Sequence, residues 1–105
     1  MICGVGIDIV QIDRLRPRLK VRKTALTERE LEKYERAENK EAFLAKCWAV
    51  KEAACKASGG EFDMSVEYDS PNVVIPYLKE GYKAWCSVSD EKEYAVALVV
   101  IEKES

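Results

Sequence analysis

Apolar residues at every second position open the chain. Cys3, Val5, Ile7 and Ile9 fall on one face of an extended segment from Ile2 to Val10, and Gly4, Gly6, Asp8 and Val10 fall on the other. This alternation predicts a β-strand. Its second face is unusual, because two glycines let another element approach the backbone closely, and Asp8, a residue type disfavoured in strands, stands beside that space. A basic stretch from Gln11 to Leu19 reads as a helical turn. Thr27-Glu28-Arg29-Glu30 has the form of a capping box and opens a helix that runs to Arg36. Asn39 caps a longer helix through Ser58, and Gly59-Gly60 supplies a left-handed stop. Past it, Phe62, Met64, Val66 and Tyr68 alternate with Asp63, Ser65 and Glu67 as a half-buried strand, and Asp69-Ser70-Pro71-Asn72 makes a turn. Val73 to Ile75 continues the sheet until Pro76 ends it or confines it to an edge. Tyr82 to Ser89 and Tyr94 to Glu102 form a hairpin around Asp90-Glu91-Lys92-Glu93, its second strand apolar on both faces. Together these elements predict an α+β fold, an antiparallel sheet packed on helices.

The long helix carries the most information. On a helical wheel Phe43, Leu44, Cys47, Trp48, Val50, Ala54 and Cys55 share one broad arc, and Ala45, Ala49, Ala53 and Ala57 occupy the opposite side. A helix that is apolar or small nearly all round is covered on more than one side, by its own core and by another subunit. Lys51 falls inside the apolar arc, and Glu52 and Lys56 lie at its boundary. Charges placed there are expensive unless they are paired or bound to something. An internal Lys-Glu pair or a snorkelling stem accounts for them structurally.

Composition narrows the chemistry. A chain of 105 residues, 48% hydrophobic and 34% charged, is one domain spanning residues 1–105 with a single modest core. With His 0, no imidazole base, imidazole metal ligand or serine-histidine triad is available from this sequence. The four cysteines form no C-x-x-C pair and read as reduced thiols. The longest apolar run, Tyr94 to Ile101, is far shorter than the roughly 20 residues of a membrane span, and no basic residue precedes Arg14 as a signal peptide would require. A cytoplasmic protein with no membrane partner is the expectation. The formal net charge of -2 conceals a local excess: Arg14, Arg16, Arg18, Lys20, Arg22 and Lys23 crowd one stretch that holds no acid. Nucleic acid fits poorly, since the chain is acidic overall and the stretch has no aromatic ring on which a base could stack. An acidic protein surface or a phosphate group fits better.

Asp8 on the glycine-cleared face and Glu52 on a helix expected to pack against that sheet form a candidate pair of carboxylates. Alone, Asp8 is also readable as a strand-terminal residue capping the helical turn after β-strand pairing ends. As a pair they suit Mg²⁺, which takes one or two protein oxygens and completes its octahedron with water and phosphate oxygens. Lys56, one turn beyond Glu52, is then in position to meet a phosphate.

At these residues the chain resembles a known family. Gly4-Val5-Gly6-Ile7-Asp8-Ile9-Val10 followed by Ile12-Asp13-Arg14-Leu15, together with Trp48-Ala49-Val50-Lys51-Glu52-Ala53-Ala54-Cys55-Lys56-Ala57, is similar to the two signature segments of the holo-[acyl-carrier-protein] synthase family of 4'-phosphopantetheinyl transferases. Leu26-Thr27 to Leu31 and Tyr94-Ala95-Val96-Ala97 also match, so the resemblance covers most of the chain. It implies Mg²⁺- or Mn²⁺-dependent transfer of phosphopantetheine from coenzyme A to a serine of an acyl carrier protein, with release of adenosine 3',5'-bisphosphate. It also implies a homotrimer with active sites between subunits. By this resemblance Asp8 and Glu52 are catalytic metal ligands, Lys56 binds the coenzyme phosphates, and Lys51 supports the same site. Arg14, Arg16, Arg18 and Arg22 would face the acidic helix of the carrier protein. Ser87-Val88-Ser89-Asp90 stands where the family reads Ser-x-Ser-His beside the coenzyme, which makes Ser89 and Asp90 coenzyme-binding candidates. Asp90 would repel the phosphates unless it turns outward or pairs with a base such as Lys92. The family's helix before this strand is cut to Tyr77 to Gly81. The competing reading is a carrier-protein-binding module without turnover.

Overall fold

The computed structural model describes residues 1–18, 23–69 and 71–104, and of Arg18 and Lys23 the backbone only. Five strands form one antiparallel sheet: β1 (Ile2–Gln11), β2 (Glu67–Asp69), β3 (Asn72–Val74), β4 (Tyr82–Asp90) and β5 (Tyr94–Lys103), in the spatial order β1-β5-β4-β3-β2. Two α-helices, α1 (Glu28–Arg36) and α2 (Lys40–Ser58), cover one face of it. The basic stretch after β1 is a pair of 3-10 turns, Ile12–Arg14 and Arg16–Arg18, rather than one helix. Its remainder at positions 19–22, and Ser70 of the expected turn, lie outside the described residues.

Local chemistry sets the helix ends as expected. The Thr27 side chain accepts from the Glu30 N–H, and the Glu30 carboxylate accepts from the Thr27 N–H at 3.0 Å, completing the capping box of α1. Asn39 accepts from the Ala42 N–H at 3.0 Å to start α2, and Gly59, at φ 71, ends it in the left-handed conformation.

The packing of α2 onto β1 dictates everything near the site. The helix lies on the glycine face, where a Cβ at Gly4 would sit 1.9 Å from the Ala57 carbonyl oxygen and one at Gly6 only 2.0 Å from that of Ala53. Small residues on both elements therefore bring two backbones together, which explains the alanine side of the wheel. The other side of α2 is covered by the same chain. Leu44 and Ala42 join Ile12, Leu15 and Tyr34 in one buried cluster, and Lys51 reaches Glu30 on α1. The expected need for a second subunit over this helix is thus met internally.

The face left open is the sheet's. Val5, Ile7 and Ile9 are more than half exposed, and the register sets them beside Val100, Leu98 and Val96 of β5, with Trp85 of β4 continuing the row. β5 is apolar on both faces because one meets the core and the other this open stripe. The expected strand from Phe62 is not extended until Glu67. Asp63 accepts from the Ser65 N–H at 2.9 Å and from its hydroxyl, bonds that hold its carboxyl below the usual range and close a turn where the alternation suggested a strand. No helix among the described residues is long and apolar enough to cross a membrane.

Candidate active site

Asp8, Glu52 and Lys56 come together at the free edge of β1. Asp8 shares the glycine face of the strand, so α2 passes beside it, and Glu52 and Lys56 are one helical turn apart on the flank that overhangs that edge. The Lys56 ammonium donates to the Ile7 carbonyl at 3.0 Å and to Asp8 Oδ1 at 3.2 Å. The Asp8 side chain is 17% exposed, whereas that of Lys56 is 54% exposed. Glu52 is pushed above the ordinary carboxylate range, first by burial and then by the Asp8 charge, with Lys56 opposing both.

Asp8 and Glu52 line a cleft of about 240 Å³ whose walls include Val10, Gln11, Arg14, Leu15 and Trp48. A second cavity, about 290 Å³ and lined by Cys3, Ser58, Tyr77 and Tyr82 among others, has no carboxylate in its wall. The first cleft joins a strand carboxylate to a helix carboxylate, with an ammonium paired to the former. Two carboxylates whose mutual repulsion is only partly relieved by one exposed ammonium are a fit for a hard divalent cation. Among the described residues no group of three or more His, Cys, Asp or Glu side chains is placed to hold a metal, and Asp8 and Glu52 are the carboxylates this cleft offers.

The other candidates fall elsewhere. Lys51 is fully buried, with its ammonium bonded to Glu30 at 2.7 Å, to the Met64 carbonyl at 3.0 Å and to the Val66 carbonyl. All three of its N–H donors are occupied, so it has none for a coenzyme phosphate, and direct coenzyme contact by Lys51 is set aside. The internal ion pair expected for it exists, but its partner is Glu30 and not Glu52. Asp90 closes β4 inside the strand and pairs with Lys46 of α2 at 3.3 Å, not with Lys92. Ser89 points to the opposite face and is exposed. Neither lines the Asp8 cleft. Arg14 does line it, is exposed, and forms no ion pair among the described residues. Arg16 is engaged by Glu41 at 2.8 Å and by Asp13 at 3.4 Å, which leaves Arg14 as the exposed cation of this stretch with no ion pair among the described residues. Arg22 and the side chain of Arg18 lie outside the described residues.

Trp48 is the cleft residue that pattern reading missed. Its place in the apolar arc of α2 makes it look like core, yet one side of it forms the cleft wall and its ring lies 5.0 Å from that of Phe62.

A family model described as the 4'-phosphopantetheinyl transferase superfamily matches residues 4–99. A holo-[acyl-carrier-protein] synthase of Ehrlichia ruminantium is 34% identical, with 100% of each chain covered. One from Shewanella frigidimarina is 37% identical over 96% of this chain and 98% of its own. Among solved structures, the holo-(acyl-carrier-protein) synthase of Bacillus anthracis in complex with CoA (3',5'-ADP) is similar with a TM-score of 0.82 and 30% identity, covering 100% of this chain and 99% of that one.

Proposed function

This chain belongs to the 4'-phosphopantetheinyl transferase superfamily, and we propose that it transfers the phosphopantetheine of coenzyme A to a serine of an apo acyl carrier protein, with Mg²⁺ bound at Asp8 and Glu52 and release of adenosine 3',5'-bisphosphate. The observation that carries this reading is the meeting of Asp8 from β1 and Glu52 from α2 in the wall of one cleft, with the Lys56 ammonium paired to Asp8 beside it. Coenzyme A and the carrier protein are named by the relatives; the cleft supplies the chemistry that suits them.

The roles follow from position. Mg²⁺, when bound, would offset the negative charge of the pyrophosphate as the serine oxygen attacks the phosphorus bearing pantetheine. Asp8 and Glu52 would hold it. A carboxylate oxygen of Glu52 left free is also placed to accept the serine proton, the task no histidine of this sequence can perform. The ammonium of Lys56 turns from Asp8 to a phosphate oxygen. Trp48 and Leu15 exclude water from one side of the cleft. The free cysteines suit a reducing compartment such as the cytoplasm.

Mass spectrometry of an apo carrier protein incubated with coenzyme A, Mg²⁺ and this protein tests the reading. A mass gain of one phosphopantetheinyl group on serine, abolished by a chelator, is expected. Binding of the carrier protein with no mass gain would favour the non-catalytic module.

Arg14 should set carrier-protein affinity. It lies at the cleft rim with no ion pair among the described residues, and such a charge attracts an acidic partner through a field screened over about 8 to 10 Å at physiological salt. Arg14→Glu is expected to raise KM for the carrier about tenfold and to change KM for coenzyme A far less, and the wild-type carrier KM should rise with salt. Equal effects on both substrates, or no salt dependence, would contradict this role.

The open apolar stripe supports the homotrimer, whose copy number comes from the family resemblance. Val5, Ile7, Ile9, Leu98 and Trp85 on one sheet face make a patch of the kind that monomers rarely leave in water. Light scattering should report three copies, and Ile7→Asp should shift the protein to monomer without unfolding it. A wild-type monomer with full activity would overturn the assembly.

A further inference from the structure

We infer that the buried Glu30–Lys51 pair is a positioning device for the transferase site, fixing the segment of residues 59–66 so that Phe62 holds Trp48 in the cleft wall where coenzyme A binds. This deepens the reading given above and rests on it for its kinetic arm.

Glu30 and Lys51 are both 0% exposed. Lys51 donates to Glu30 and to two carbonyls of the segment, those of Met64 and Val66. Glu30 accepts from the Lys51 ammonium and the Thr27 N–H on one oxygen, and from the Tyr68 N–H at 2.8 Å on the other. Four segments thus meet in one saturated cluster: the start of α1, the middle of α2, the turn after α2 and the start of β2. Stability alone does not explain such a choice. Replacing a buried ion pair by well-packed apolar residues is often neutral or stabilising. What an apolar pair cannot supply is a donor for the Met64 and Val66 carbonyls, which have left the sheet because Asp63 closes the turn between them and Phe62. The ammonium therefore determines where the segment docks on α2. From that docking, Phe62 reaches Trp48 at 5.0 Å between rings, and Trp48 is a wall of the Asp8–Glu52 cleft. Lys51 touches no substrate; it acts through the segment, Phe62 and Trp48.

The double variant Glu30→Gln/Lys51→Met tests this. It removes both charges together and so avoids the stranded ion that Lys51→Met alone would leave. The expected result is a folded protein whose backbone amides at 64–68 exchange with deuterium at least about tenfold faster. Its KM for coenzyme A should rise at least about fivefold, with kcat within about twofold of wild type. Phe62→Ala, which leaves the ion pair in place, should reproduce the KM rise without the faster exchange at 66–68. If the double variant does not fold, Phe62→Ala decides alone. Native exchange and native KM in the double variant, or native KM in Phe62→Ala, would overturn the inference. A wild-type protein that does not use coenzyme A would refute the proposed function instead, and the exchange rates would still decide whether the pair fixes the segment.

Discussion

Asp8→Asn and Glu52→Gln, made singly, are expected to lower phosphopantetheine transfer at least about a hundredfold while leaving the fold intact. The magnitude has a floor, since loss of a group that merely orients a metal ligand typically costs about 10- to 100-fold, and in the proposed mechanism these two are the ligands themselves. The intact fold is the sharper part of the prediction. Glu52 ionises reluctantly because it is partly desolvated and lies near the Asp8 charge. A carboxyl whose folded pKa is raised contributes stability that is present below the unfolded pKa and is lost as pH rises through the folded one. At neutral pH without metal, Glu52 therefore works against the fold, and Glu52→Gln should melt no lower than wild type. The wild-type thermal shift produced by Mg²⁺ should shrink as pH falls through the raised Glu52 pKa, because a proton then competes with the cation. In both variants that Mg²⁺-dependent shift should be largely absent. Turnover by either variant at the wild-type rate, or an undiminished Mg²⁺ shift, would refute the metal assignment.

Asp8→Asn also bears on Lys56. Its ammonium lies 3.2 Å from Asp8, as a cation occupying the position a metal would contest. With a neutral amide there, Lys56 loses its anionic partner but keeps the Ile7 carbonyl, so the side chain stays near the cleft. A loss of turnover in Asp8→Asn thus reports the carboxylate and not a displaced lysine.

What was legible in the sequence is what depends on neighbours along the chain. The capping box at Thr27 and Glu30, the Asn39 cap and the Gly59 stop are local hydrogen-bond chemistry, and the structure reproduces each. That Asp8 and Glu52 share a cleft was legible because carboxylates in a glycine-bearing strand and an apolar helix are out of place without a task, whereas the role proposed for them came from the family resemblance. The misreadings share a cause: partners remote in sequence. Phe62 to Val66 alternates like a strand, but Lys51 takes two of the segment's carbonyls and Trp48 takes Phe62. Lys51 belongs to a matching motif, yet its side chain turns away from the cleft to Glu30, a residue 21 positions earlier on another helix. Asp90 does pair with a base, as one of its two expected alternatives required, but the base is Lys46 on α2 and not the nearby Lys92. Alternation in β1 identified two faces, its glycines marked the one that another element could approach closely, and the helix took that face.

That choice of face leads to the largest expected effect on stability, from Gly6. A methyl group there would sit 2.0 Å from the Ala53 carbonyl oxygen and 2.7 Å from the Ala57 nitrogen, both helix backbone, which cannot swing aside as a side chain could. Relief requires β1 and α2 to move apart, and separation opens gaps along a contact that also buries Ala49, Val50 and Ala53. Overpacking of a tight core typically costs about 1 to 3 kcal/mol, and a clash with backbone on both sides belongs at or above the upper end. Gly6→Ala should therefore lower Tm by about 10 to 20 °C in a domain of this size, and Gly6→Val should fail to fold. Gly60→Ala is the control, because its nearest neighbour is the Ser58 hydroxyl at 3.3 Å, the end of a movable side chain. It should shift Tm by only a few degrees. The same displacement carries Asp8 away from Glu52 and Lys56, so Gly6→Ala should lose transfer activity at temperatures where it is still folded. Differential scanning calorimetry and an activity assay well below Tm separate the two effects. A Gly6→Ala protein that melts with the wild type would mean that α2 does not rest on β1 at this spacing.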